Sequence, residues 1–246
     1  MLPKIKLSGD VDVVALSPLM RGIVLALSYA GTQGGIGLTA TGAVNRKFVH
    51  WTAIHFNWPG YSFDELYSVN KVLNESDMPP LWVVRDITRH LKLLRRRKDV
   101  LVPTKRGQDF LARPEACFDL VATDYLYAYV HHGQNPDDIR DRMQWWDVFL
   151  NLINIMTTSG CSLDEMANEL FPGEAYPLRE EKMSVEDRAL RSEFRYSVIR
   201  PLCWLGLLYE DREGLTIWQQ GTYHKTPLWT ACLQLESDTQ TLIGVH

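Results

Sequence analysis

Residues 81–111, LWVVRDITRHLKLLRRRKDVLVPTKRGQDFL, decide how the chain is expected to fold. Val84, Ile87, Leu91 and Leu94 recur at spacings of three, four and three, which is one stripe of an amphipathic helix. At about 100° per residue, Arg85, Arg89 and Lys92 fall on the opposite side. Then Arg95-Arg96-Arg97-Lys98-Asp99 separates Leu93-Leu94 from Val100-Leu101, a pattern that predicts two short strands joined by a charged turn. Thr104 to Gly107 is expected to end the second strand and start a further turn. From Arg85 to Arg113 there are ten Lys/Arg against Asp86, Asp99 and Asp109, a local net charge of +7.

A helix followed by a basic hairpin resembles the recognition helix and wing of winged-helix proteins, and that resemblance implies duplex binding. On this reading Arg85, Arg89 and Lys92 face the major groove, where arginine reads guanine edges. Arg95, Arg96, Arg97, Lys98, Lys105 and Arg106 grip phosphates, each contact releasing counterions. A charge run more often marks only a solvated surface. Here helix front and hairpin agree in sign, as a phosphate-binding patch requires.

Upstream, residues 1–16 read as an arm or a strand. Ser17-Pro18 opens a helix, with Ser as cap and Pro at its first position, that runs to Gly31. Ile36-Gly37-Leu38 suits one short strand, and Ala43 to Phe56 a second helix. The connector 57–80 is long for such a link, so the motif carries an insertion, with a helix start at Ser62 to Glu65. Downstream, a helix after Pro114 places Phe118, Val121, Tyr125 and Tyr129 on one stripe. Gly133 to Pro136 marks the expected domain boundary. A helix at 145–160 follows, then a capping box from Ser162 to Glu165, and an acidic helical run to Phe194.

The last third repeats the central stretch at an offset of 114, LLRRRKDVLVPTKRG lying over LLYEDREGLTIWQQG. Val84, Leu91, Leu94, Leu101 and Gly107 then match Val198, Leu205, Leu208, Leu215 and Gly221. The expected fold is therefore mainly α with small β-hairpins (α+β), as two winged-helix-like domains in tandem. The boundaries are 17–132 for the basic domain and its trailing helix, and 141–246 for the second. In the second copy Arg85, Arg89 and Lys92 become Ile199, Cys203 and Gly206, and Pro201 should kink the helix. From Glu115 to Glu193 sixteen acidic residues face six basic ones, a net of −10, so the second half suits a protein partner or a homodimer.

The whole chain has 246 residues, a net charge of −4, 46% hydrophobic and 23% charged residues, the profile of an ordinary globular protein. Any polyanion binding must therefore be local. Cys117, Cys161, Cys203 and Cys232 stand apart with no CxxC pair and read as free thiols in a reducing cytoplasm. No apolar stretch approaches the roughly 20 residues of a membrane span. Catalytic loops and metal motifs are absent from the sequence, so no enzyme activity and no cofactor are expected. The adjacent pairs Asp137-Asp138 and Glu180-Glu181 diverge on any regular element and read as solvated surface, and His50 and His55 as packed or surface histidines. Trp51, Trp82, Trp204 and Trp218 are expected in the core, whereas Trp58 and Trp145-Trp146 are candidates for exposure.

GGIGLTATGAVNRKF, NKVLNESDMPPL and LLRRRKDVLVPTKRG, in that order, are similar to the C-terminal segment of bacterial proteins of the Ri-plasmid open-reading-frame-three-like family. The likeness covers residues 34–125 and lacks that family's usual N-terminal domain. It implies a plasmid or mobile-element context and carries no catalytic residues. The expected function is that of a non-enzymatic regulator or accessory factor contacting duplex DNA through residues 85–106. A protein-interaction module on the same fold is the alternative.

Overall fold

A computed structural model describes residues 2–130, 144–171, 185–213 and 220–240. The chain divides into two compact units, 12–125 and 1–11 together with 126–246. Among the described residues both are helical and each holds a three-stranded antiparallel sheet.

In the first unit Asp12 caps the short helix α1 (Val13–Leu16). Ser17 then caps α2 (Pro18–Thr32), its Oγ accepting from the Met20 N–H. Leu19, Met20, Ile23 and Leu27 of α2 are fully buried, and the other elements gather around them. Strand β1 (Ile36–Gly37) leads to α3 (Arg46–His55), capped by Asn45. The connector holds α4 (Phe63–Val69), opened by the Ser62/Glu65 capping box, and a 3-10 turn at Glu75–Asp77. Next come α5 (Pro79–His90), β2 (Leu94–Arg97), β3 (Val100–Pro103), α6 (Lys105–Ala112) and α7 (Phe118–Thr123). The sheet order is β1-β3-β2, with Ile36 and Arg96 both registered on Leu101.

Three expectations need correction here. The central helix stops at His90 rather than running to Leu94, because Lys92 turns the backbone left-handed at φ 58°. Residues 104–107 begin a helix instead of a turn: the Thr104 hydroxyl accepts from the Gly107 N–H and caps α6. Gly107 is the residue this needs, since a Cβ there would lie 2.3 Å from the Leu93 carbonyl oxygen. Trp58 is buried, not exposed, and packs so near α2 that a Cβ on Gly22 would stand 2.9 Å from its ring.

The second unit contains α8 (Trp146–Met156), β4 (Cys161–Ser162) and α9 (Leu163–Leu170), whose Ser162/Glu165 capping box is formed. Helix α10 (Val185–Phe194) passes through a π turn at Arg195–Ile199 into α11 (Arg200–Leu205). Pro201, where a kink was expected, stands in the first turn of α11 directly after that π turn. Strands β5 (Leu208–Asp211) and β6 (Thr222–Lys225) follow, then α12 (Pro227–Cys232) and α13 (Ser237–Gln240). The sheet order, β4-β6-β5, copies that of the first unit. Residues 5–8 join this unit: Ile5 bridges Leu233, and the Lys6 and Ser8 N–H groups donate to Cys232 and Ala231 at 2.9 and 2.8 Å. Trp146 is fully buried whereas Trp145 is exposed.

The repeat is present in the backbone, with a different register beyond the first hairpin strand. Glu210 and Cys161 pair with Tyr223, as Arg96 and Ile36 pair with Leu101. Tyr223, not Leu215, is thus the counterpart of Leu101, and Gly221 precedes β6 instead of matching Gly107 in α6. Leu215, Trp218, His131-His132, Gly133 to Pro136, Asp137-Asp138 and Glu180-Glu181 lie outside the described residues.

Candidate nucleic-acid interface

Helix α5 begins at Pro79-Pro80, where the missing N–H groups cost nothing, and buries Leu81, Val83, Val84, Ile87 and Thr88. Only Arg89 and His90 of this helix are exposed. Its cationic front therefore divides. The Arg85 guanidinium is held at 2.6 and 2.8 Å by both carboxylate oxygens of Glu75 and touches Asp86 at 3.3 Å. Glu75 is buried and also accepts the Val44 N–H at 3.0 Å. Burial pushes the Glu75 carboxyl above the ordinary range, outweighing the attraction of Arg85. Arg85 thus fastens the connector to the body of the domain and is not available as a reader of bases.

Arg89 remains on the exposed end of α5, and Lys92 in the left-handed turn after it. The Lys92 carbonyl accepts the Thr104 hydroxyl at 2.7 Å, and the Thr104 N–H reaches the Leu93 carbonyl at 2.9 Å. These bonds bring the start of α6 to the foot of the hairpin, so Lys105 and Arg106 stand in its first turn, both exposed. Cations at a helix N-terminus oppose the helix dipole, so local helix stability does not account for them. Arg95, Arg96 and Arg97 are exposed along β2, Arg95 and Arg97 on one side and Arg96 on the other. Arg96 Nε donates to the Lys98 carbonyl at 2.8 Å across the tip, where Lys98 has φ 57°.

The structure therefore brings eight expected cations into one run, Arg89 to Arg106, and removes Arg85 from it. Among the described residues no carboxylate forms an ion pair with any of the eight. His90, missed in the sequence, contacts Asp124 at 3.1 Å. The Glu75 clamp was also missed, since its partner lies ten positions upstream in a connector without periodicity.

The second unit repeats the scaffold with other side chains. The Thr226 N–H reaches the Leu207 carbonyl at 3.0 Å, and its hydroxyl the Gly206 carbonyl at 2.6 Å. Arg95, Arg96 and Arg97 have Tyr209, Glu210 and Asp211 as counterparts, and Lys105 and Arg106 have Pro227 and Leu228. In the core Asn154 is saturated: its side chain donates to Ser237 and Asp238 and accepts from Lys225 and Trp229. Burial lowers the Lys225 ammonium. All four cysteines are free thiols; Cys161 and Cys232 are buried, Cys117 and Cys203 half-buried. Among the described residues no group of His, Cys, Asp and Glu is placed to hold a metal ion, and no helix is long and apolar enough to cross a membrane.

Two family models match, the Y4jL N-terminal domain over residues 15–116 and the y4jL C-terminal domain over residues 136–227. A Sinorhizobium fredii relative, named "Uncharacterized protein y4jL", is 68% identical over 196 residues, which span 80% of this chain and 89% of its own. No solved structure matches. These matches supply no link to the Ri-plasmid open-reading-frame-three-like family that residues 34–125 resemble. The two family domains fall one on each repeat, and the chain belongs to the Y4jL family.

Proposed function

We propose that the first domain binds duplex DNA, with the β2–β3 hairpin and the start of α6 on the phosphates and Arg89 as the base-reading side chain. The observation that carries this reading is the run of exposed cations from Arg89 to Arg106 without carboxylate partners among the described residues. With α4 and the 3-10 turn of the connector counted as an insertion, the succession α2, β1, α3, α5 and the β2–β3 hairpin resembles that of a winged helix and supports the same use. Because α5 is mostly buried, backbone contacts outweigh base contacts, so affinity depends strongly on salt and weakly on sequence. The chain then acts as a cytoplasmic, non-enzymatic regulator or accessory factor, in keeping with the mobile-element context that its sequence resemblance implies.

The test is a duplex titration at several salt concentrations. Replacing Arg95, Arg96 and Arg97 by Ala leaves stability within about 0.5 kcal/mol, since all three are exposed. The log–log slope of affinity against salt falls by roughly 0.9 per lost phosphate contact, about two to three units in all. Wild-type protein without salt-sensitive duplex binding at low ionic strength removes the proposal. A second reading, a protein-interaction module, is favoured by the exposed Ile54, Phe63, Val69 and Val72 on α3, α4 and the connector. It predicts no change in slope.

A further inference from the structure

Each sheet ends in a strand that one neighbour covers. Among the described residues β2 pairs with β3 alone and β5 with β6 alone, so each leaves an outer edge on which another strand can add. These strands are counterparts in the two repeats and carry opposite charge. One reads Leu94-Arg95-Arg96-Arg97 and the other Leu208-Tyr209-Glu210-Asp211. The three arginines, Tyr209 and Asp211 are exposed, and Glu210 is half-buried.

Pairing of like edges is opposed: β2 on β2 sets arginine against arginine, and β5 on β5 sets carboxylate against carboxylate. Charged edges are one means by which sheets avoid such contacts. The cross pair escapes that barrier. With the strands antiparallel, Arg95 stands opposite Glu210 and Arg96 diagonal to Asp211. With them parallel, Arg96 faces Glu210 and Arg97 faces Asp211. In both directions each carboxylate has an arginine of the other strand beside it, Glu210 in addition to the Arg212 it already contacts at 3.0 Å.

We infer that β2 of one copy of this chain pairs edge to edge with β5 of a second copy. The two edges differ, so the contact is heterologous. Each pair leaves one basic and one acidic edge open, and assembly continues as an open chain or closes into a ring. This goes beyond the DNA-binding reading and does not depend on it.

Sedimentation of the full-length chain without DNA tests the inference. At about 20 mM salt species larger than the monomer are expected, dissociating at about 0.5 M as the charges are screened. The variants Glu210→Lys/Asp211→Lys and Arg95→Glu/Arg96→Glu/Arg97→Glu should each associate at least roughly tenfold more weakly than wild type. Mixed in equal amounts they should assemble again, because an acidic β2 now meets a basic β5. The milder Glu210→Gln/Asp211→Asn keeps acceptors for the Gly221 and Glu213 N–H groups and should lose part of the association. Wild-type chain that stays monomeric at low salt overturns the inference, as does a charge-reversed variant that assembles like wild type or a mixture that does not recover. Duplex affinity does not enter the readout, so failure of the DNA-binding reading would leave the result standing.

Discussion

The two domains suspend their hairpins from the same three hydrogen bonds and then diverge in nearly every side chain around them. Leu93 N–H donates to the Thr88 carbonyl at 2.7 Å and Leu207 N–H to the Leu202 carbonyl at 2.9 Å. A threonine N–H and hydroxyl complete the set in each copy. The carbonyl that receives the hydroxyl belongs in one copy to Lys92, at φ 58°, and in the other to Gly206, at φ 86°. Glycine takes that conformation freely and lysine does not. The first domain therefore holds a charged side chain where the scaffold alone would favour none. Scaffold and surface are separable in this protein, and the comparison says which residues belong to which.

The largest expected effect separates the copies. Arg85 is Ile199 in the second domain, where among the described residues nothing corresponds to the Glu75 clamp. Arg85→Ala leaves Glu75 buried without its partner and should cost the first domain about 3 kcal/mol in denaturant unfolding. Adding Glu75→Gln to it should recover part of the loss. The carboxyl also leaves a pH signature. Its raised value means the folded state keeps this proton where the unfolded chain has released it. The contribution to stability is full below the unfolded value and declines as pH rises through the folded one. Glu75→Gln should flatten that decline, which lies above the ordinary carboxylate range because burial raises the group.

Next in size is the shared threonine. Thr104→Val and Thr226→Val each remove a cap and the bond to the left-handed carbonyl, and should cost their own domains about 1–2 kcal/mol. Markedly unequal costs would mean that the two scaffolds are not equivalent. The smallest effect concerns Lys92. Lys92→Gly gives the first domain the residue of the second and should stabilise it by up to about 1 kcal/mol. It should also lower the salt slope of duplex binding by roughly 0.9. Stabilisation without a change in slope would exclude Lys92 from phosphate contact.

What the sequence revealed were the features with short-range causes. Ser17-Pro18 and the Ser62/Glu65 and Ser162/Glu165 boxes set helix starts through bonds within three residues, and the structure has all three. The basic hairpin followed from a charged run between apolar pairs. The rest depended on contacts between distant residues. Glu75 takes Arg85 out of the cationic front, and nothing near Arg85 announces it. Helix α6 has few apolar residues and starts on Lys105-Arg106, so neither its periodicity nor its charge suggests a helix. The gapless match of the second hairpin followed a leucine pattern that slides easily, whereas strand pairing fixes Tyr223 on Glu210. Trp58 sat where a turn was read and Trp146 at the start of an expected helix, and neither reading says which side chain faces the core.

Residues 5–8 complete the unit built mostly from the far end of the chain, and Ser8 and Ala231 stand 223 positions apart. Closing so long a loop adds little free energy, because the cost grows only with the logarithm of length. Its effect is on timing. Synthesis delivers residues 5–8 before the first unit and their partners after it. On the ribosome the basic domain can finish folding while the earliest residues of the chain still wait for an edge to join. A translation product that stops before Ala231 would carry a complete first domain and, ahead of it, residues 5–8 without the backbone groups they bond in the finished chain.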